Sequence, residues 1–185
     1  GGQMIEKSGI KVDDSIDIFI KQLFPYVSRG ALKLEKAFSE FNLNFKDKVI
    51  CDIGSSTGGF TDFALQNGAL KSYAIDVGTG QLAQKIREDS RVIVMEKTDF
   101  RNVDALPDKV DYFVCDVSFI SLKKIIPKIK ELAQSGAEAI LLIKPQFEAG
   151  VKDVSKGKGV IRDEALRAKI VQEITDFAQA ADFKV

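Results

Sequence analysis

From residue 45 onward, short and nearly continuous apolar runs alternate with segments whose apolar residues recur every three or four positions. Runs of the first kind mark strands covered on both faces, and segments of the second kind mark amphipathic helices. Strands are predicted at 48–53, 72–76, 91–95, 110–116 and 139–143. Helices are predicted at 60–66, closed by Asn67-Gly68, and at 82–87. Another is predicted from Leu122 to Ala133, and a last one on the stripe Leu166, Ile170, Ile174 and Phe177. Pro127 either kinks the helix it falls in or marks its start. Phe183-Lys184-Val185 is expected to open a sixth strand. Ahead of the first strand, Leu34, Phe38 and Phe41, with Ala31 and Ala37, form a further helical stripe, and Ser28 is its expected N-cap. Residues 4–25 read as a β-like tail, with Ile16, Ile18 and Ile20 in alternation.

Repeated βα units imply right-handed crossovers and a doubly wound, Rossmann-like α/β sheet, mostly parallel. The chain stops where a further strand begins, so the sheet is expected to lack its last strands. At 185 residues the sequence suits one domain, and its 45% apolar and 29% charged content is that of a globular protein. Gly1-Gly2-Gln3 resembles a cloning scar. No apolar run approaches the ~20 residues of a membrane span.

Histidine is absent, which excludes Ser-His-Asp and Cys-His catalysis and every imidazole acid or base. Cys51 and Cys115 each sit in a strand-like run before an aspartate, and read as reduced core residues. Without histidines or further cysteines at ligand spacing, no metal site is expected. Lys+Arg and Asp+Glu are both 27, so net charge is silent about nucleic acid. The distribution says more. Lys123, Lys124, Lys128 and Lys130 form one basic stretch; Lys144, Lys152, Lys156, Lys158 and Arg162 form another, opposed only by Glu148 and Asp153. Each is either a phosphate-following surface or a solvated face.

Ligands of an open parallel sheet sit outside the carboxyl ends of its strands. Asp52, Asp76, Asp116 and Lys144 stand at four predicted strand ends and should share one edge. Asp52-Ile-Gly54-Ser-Ser56-Thr-Gly58-Gly-Phe60 joins the first strand to a helix, with Ser56 where a dinucleotide loop has its second glycine. The loop suits a ligand with an amino group and a carboxylate, Asp52 taking the ammonium and loop amides the carboxylate. Asp76, 24 residues beyond Asp52, stands where an acid takes ribose hydroxyls. Asp99-Phe100 offers a carboxylate and a ring to an adenine, or else Asp99 simply caps a short helix.

Five ordered segments then make the chain resemble the FtsJ-like 2′-O-methyltransferases, most nearly the hemolysin-A-like (TlyA) rRNA methyltransferases. They are Tyr26-Val-Ser-Arg-Gly-Ala-Leu-Lys33-Leu, the loop from Asp52 to Asp62, Tyr73-Ala-Ile-Asp-Val-Gly-Thr-Gly-Gln-Leu82, Asp116-Val-Ser-Phe-Ile-Ser121 and Lys144-Pro-Gln-Phe-Glu148. The resemblance covers nearly everything from Tyr26 onward. It implies S-adenosylmethionine as cofactor, held by Asp52, Gly54, Ser56, Gly58, Asp76, Asp99 and Asp116, with Ser28 and Arg29 near its methionine end. It implies Lys33, Asp116 and Lys144 as the catalytic set, with a late glutamate that falls beyond residue 185 and is not Glu148. Lys144 is then expected to take the proton of a ribose hydroxyl, with Lys33 tuning it or steering the hydroxyl and Asp116 orienting the lysine head. Residues 26–185 would be the methyltransferase domain, C-terminally incomplete, and residues 1–25 the scar and the tail of an S4-type RNA-binding module. The implied partner is ribosomal RNA or ribosomal subunits, through cytidine 2′-hydroxyls, in the cytoplasm and without membrane or metal. The alternatives by residue type alone are a nucleotide-dependent oxidoreductase, a non-catalytic RNA-binding or hemolysin-type protein, and solvated lysines at positions 33 and 144.

Overall fold

The computed structural model describes residues 24–150 and 160–185. The tail as far as residue 23 and the basic residues Lys152, Lys156 and Lys158 lie outside the described residues. In chain order the elements are α1 (Ala31–Glu40), β1 (Val49–Ile53), α2 (Gly59–Gln66), β2 (Lys71–Ile75), α3 (Gln84–Arg87) and β3 (Val92–Met95). There follow β4 (Tyr112–Cys115), α4 (Ile126–Leu132), β5 (Glu138–Leu141), α5 (Pro145–Glu148) and α6 (Glu164–Ala180). Single 3-10 turns occupy Phe100–Asn102 and Leu122–Lys124.

The strands form one all-parallel sheet in the order β3-β2-β1-β4-β5. This is the doubly wound α/β class. The chain winds outward from β1 to β3, then crosses back to lay β4 on the other side of β1. The connections after β1 and β4 therefore part, and a crevice opens between them.

Strand parity sorts the core into two layers. Ile50, Ala74, Tyr112 and Val114 face α1, α2 and α3, where they meet Leu34, Phe63, Ala64 and Ile86. Cys51, Ile53, Tyr73, Phe113 and Cys115 face the other way, against Ile126 and Ile129 of α4 and Ile174 of α6. Both cysteines are free and buried, and burial pushes the Cys115 thiol up to about 12. The same alternation sends Asp52 toward the α2 layer and continues, past the end of β4, to Asp116 on the side of α1.

The structure corrects several local expectations. The N-cap of α1 is Gly30, and Ser28 instead accepts the Gly30 N–H on its hydroxyl at 3.1 Å. Phe41 leaves the apolar stripe and is 68% exposed, because α1 ends one residue before it. Pro127 marks the helix start, as the second residue of α4 after a separate 3-10 turn. Phe183–Val185 form no strand. Asp182 adopts a left-handed conformation and the Phe183 N–H turns back to the Ala178 carbonyl, so the chain folds onto the end of α6. The short helix α5 had no signal beyond Pro145, which favours a first helical turn.

Candidate functional site

The loop between β1 and α2 is held from beneath. Asp52 is 1% exposed, and its Oδ2 accepts both the Thr61 amide (3.0 Å) and the Thr61 hydroxyl (2.7 Å). Its Oδ1 is buried without a partner among the described residues. Burial raises this carboxyl to about 7; the two Thr61 bonds pull it down, and nearby Asp116 and Asp76 push it up. Gly58 has φ +90°, and a Cβ there would lie 2.9 Å from Leu82 Cδ1. A Cβ on Gly59 would lie 3.0 Å from the Ala31 nitrogen and 3.1 Å from Ser28 Cβ, so the segment entering α1 rests directly on the loop.

The loop amides are mostly engaged, which corrects the expectation that they are free for a carboxylate. Those of Gly54 and Ser55 donate to the Ile75 carbonyl, that of Gly58 to Ser55, and that of Ser56 to Asp76 Oδ2 at 2.8 Å. Gly54, Ser56 and Gly58 thus shape the turn, and Gly54 and Ser56 also line the cleft. Asp76 takes a second amide, Gly78, at 2.7 Å on its Oδ1.

The cleft itself measures about 580 Å³ and lies where the β1 and β4 connections part. Asp76 and Val77 border one part, Val117, Ile120 and Ile125 another. Asp99 lines it too, but it caps the 3-10 turn through the Arg101 amide, and the Arg101 guanidinium grips both its oxygens. The hydrogen bond from Arg101 holds this carboxyl below its usual range. The Phe100 ring is only 3% exposed and packs edge-on against Phe113. It is a core residue more than an open stacking face, and the capping reading of Asp99 is the one realised.

At the cleft's edge three elements meet. Lys33 of α1 reaches Asp116 Oδ2 at 2.7 Å, and Lys144, at the N-cap of α5, lies 2.7 Å from Asp116 Oδ1. The second contact is an ion pair outside hydrogen-bonding angles. Lys144 directs its hydrogen bonds to the Ser118 hydroxyl (2.9 Å) and the Asp116 carbonyl (3.2 Å). Lys144 is 16% exposed at its side chain and Lys33 45%. Residues 83 and 28 positions from Asp116 or closer in sequence thus form one cluster. One carboxylate faces two ammonium groups, leaving surplus positive charge. Ser28 lies beside the loop and Arg29 is exposed at the entry to α1.

Sequence reasoning missed four contributors. Thr61 fixes Asp52, Gln81 accepts a long hydrogen bond from Ser56 (3.3 Å) and lines the cleft, and Ser118 receives Lys144. Phe119, 90% exposed at φ +64°, lines the cleft and leans on Phe147 at 5.0 Å. A bulky residue in that backbone region is a genuine outlier. All four sit inside segments already singled out, but nothing in the sequence marks a phenylalanine as strained. The basic stretch 123–130 resolves largely into a solvated face: Lys123 pairs with Glu173, Lys128 with Glu131, and Lys130 reaches the Asp182 carbonyl. Lys124 is exposed and lines the cleft. No group of His, Cys, Asp and Glu among the described residues is disposed to hold a metal, and no described helix is long and apolar enough to cross a membrane.

Comparison with known proteins places this geometry. The model of the FtsJ-like methyltransferase family matches residues 26–185. YqxC of Bacillus subtilis strain 168, provisionally named an rRNA methyltransferase, is 48% identical over 97% of this chain and 65% of its own length. The 16S/23S rRNA (cytidine-2′-O)-methyltransferase TlyA of Mycobacterium tuberculosis is 43% identical over 83% of this chain and 58% of its own length. A solved structure from Streptococcus thermophilus, provisionally named a hemolysin, superposes with a TM-score of 0.82 at 45% identity, over 86% of this chain and 58% of that one. The chain thus spans roughly three fifths of the length of these relatives.

Proposed function

Because this chain belongs to the FtsJ-like methyltransferase family, we propose that it carries the catalytic site of an S-adenosylmethionine-dependent methyltransferase acting on ribose 2′-hydroxyls of ribosomal RNA, cytidine being the nucleoside. The observation that carries the reading is the cluster of Lys33, Asp116 and Lys144 at the edge of a cleft of about 580 Å³. A binding-only protein has no need of two lysines converging on one carboxylate beside such a cleft. TlyA of Mycobacterium tuberculosis is named for this reaction on 16S and 23S rRNA.

The residues present suit the donor. The unpartnered Asp52 Oδ1 is a buried acceptor under the glycine loop, matched to an ammonium either directly or through water. Asp76, at the end of β2, faces the cleft where ribose hydroxyls bind in this architecture. Val117, Ile120 and Ile125 give an apolar wall for a base. Asp99 joins this contact only if its pairing with Arg101 loosens. When bound, S-adenosylmethionine supplies an electrophilic methyl group.

The chain's own groups handle the hydroxyl. Once Lys144 has released a proton to solvent, its neutral amine accepts the proton of the hydroxyl, the approaching oxygen taking the place of the Ser118 hydroxyl beside it. Lys33 and the surplus positive charge of the cluster stabilise the developing negative oxygen. Asp116 holds both lysine heads in place, so orientation contributes to the rate. Exposed Lys124 puts positive charge at the cleft and exposed Arg29 at the entry to α1, both suited to a phosphate backbone. Phe119 presents a flat apolar face there, suited to a nucleobase. An rRNA substrate puts the protein in the cytoplasm.

Replacing Lys144 by Met is expected to lower methyl transfer by about 100-fold or more, the usual scale of a lost general base. S-adenosylmethionine binding, measured by titration calorimetry, should stay within a few-fold. NAD should not bind. Near-normal turnover in Lys144→Met, or NAD binding in place of the methyl donor, would refute the assignment.

A further inference from the structure

Asp62 ends the glycine-loop motif yet does not line the cleft, and its environment is unusual for an acid in a helix. It lies in the first turn of α2, where the helix dipole favours a negative charge. Its side chain is 3% exposed. Oδ2 accepts the Val27 amide at 2.8 Å. Oδ1 accepts the Gln66 side-chain amide at 3.0 Å and the Lys85 ammonium at 3.2 Å. Gln66 also donates to the Pro25 carbonyl at 3.0 Å. The carboxylate and the Gln66 amide it holds therefore pin the segment 25–27 to α2 at one backbone point each.

That segment feeds α1, and the Val27 bond adds a buried polar anchor to the packing of Tyr26 on Phe63, the Tyr26–Glu35 hydrogen bond and the burial of Ala31 and Leu34. The N-cap of α1 has no side-chain hydrogen bond. The turn is closed locally, by backbone bonds from Ala31 to Ser28, Leu32 to Arg29 and Lys33 to Gly30 and by the Gly30 N–H on the Ser28 hydroxyl. Where α1 points, and so where Lys33 places its ammonium, depends on how the preceding residues are held.

We infer that Asp62 is a positioning residue for Lys33: by fixing the Val27 amide on α2 it sets the start of α1 so that Lys33 meets Asp116. The Lys85 pair is secondary. Lys85 is 62% exposed, and ion pairs open to solvent contribute little. The buried amide bond is what Asp62→Asn disturbs, because its single acceptor oxygen cannot serve both the Val27 N–H and the Gln66 amide, and one donor is left unsatisfied. The catalytic meaning of this positioning rests on the proposed role of Lys33; the positioning itself is a statement about the fold.

The test is amine-acylation footprinting of Lys33, read by peptide mass spectrometry on the protein and its Asp62→Asn and Gln66→Ala variants. Lys46, exposed and outside both the segment 25–27 and the Lys33 cluster, serves as the internal reference. Circular dichroism and thermal melting establish that each variant is folded. Freed from Asp116, Lys33 should acylate about fivefold faster relative to Lys46 in Asp62→Asn, the scale of one lost ion pair, and by a smaller factor in Gln66→Ala. If Asp62→Asn does not fold, Gln66→Ala decides, since its side chain is exposed. Unchanged Lys33 reactivity in a folded variant overturns the inference. Methyl-transfer kinetics supply the second arm. The fall in kcat from Asp62→Asn should vanish on a Lys33→Met background, and additive losses would contradict the coupling. A wild-type protein that methylates nothing would strike the proposed reaction and leave the footprinting result to decide the positioning.

Discussion

Asp52 illustrates how burial sets the behaviour of single residues here. Its carboxyl, raised to about 7 mainly by burial, compares with about 3.9 for a free aspartate. The folded chain therefore holds this proton more tightly than the unfolded chain. The stability it contributes is complete below about pH 4 and is lost as pH rises through about 7. Chemical denaturation of wild type and Asp52→Asn across pH 4 to 8 should show the wild type losing ground steadily to the variant; a pH-independent difference would contradict this. At this scale the sequence was informative about position and less so about engagement. Asp52, Asp76, Asp116 and Lys144 stand at strand ends by spacing alone. That Arg101 occupies Asp99, or that Phe100 turns into the core, depends on neighbours that spacing does not specify.

The loop between β1 and α2 works as an element because α3 packs over it. Gly58 combines a left-handed φ with contact against Leu82 and Ile86, so Gly58→Ala meets both a backbone penalty and a clash. The variant is expected to lose about 2 kcal/mol or more of stability by denaturant titration, and to bind the methyl donor more weakly. A loss confined to a few tenths of a kcal/mol would show that the loop yields. Helix α1 shows where local signals fail. Ser28 has the side chain of an N-cap, yet the helix starts at Ala31, with the Ser28 hydroxyl on the Gly30 N–H and its Cβ seated against Gly59 of α2. In α4 the local signal prevails, Pro127 being suited to a first turn and not to a helix interior. Phe183–Val185 had a strand's composition, but the local C-terminal turn of α6 took it, with Asp182 left-handed and the Phe183 N–H on the Ala178 carbonyl.

Across the whole molecule, the doubly wound sheet was legible because alternating βα units admit few arrangements. The strand order β3-β2-β1-β4-β5 then follows from right-handed crossovers and one change of direction. That change of direction opens the cleft, and strand parity brings Asp116 to the side of α1. The pairing of Lys33 with Asp116, 83 residues apart, is a product of topology that no local pattern contains; only the resemblance to a known family indicated it. The central claim is that this edge transfers a methyl group to a ribose oxygen of ribosomal RNA. The most direct measurement supplies methyl-labelled S-adenosylmethionine and unmethylated ribosomal subunits to the protein at the full length of its curated relatives, then locates the label by nuclease digestion and mass spectrometry. The account predicts label on ribose 2′-oxygens, on cytidine, abolished by Lys144→Met. Label on bases or protein, or no label despite bound donor, would contradict it.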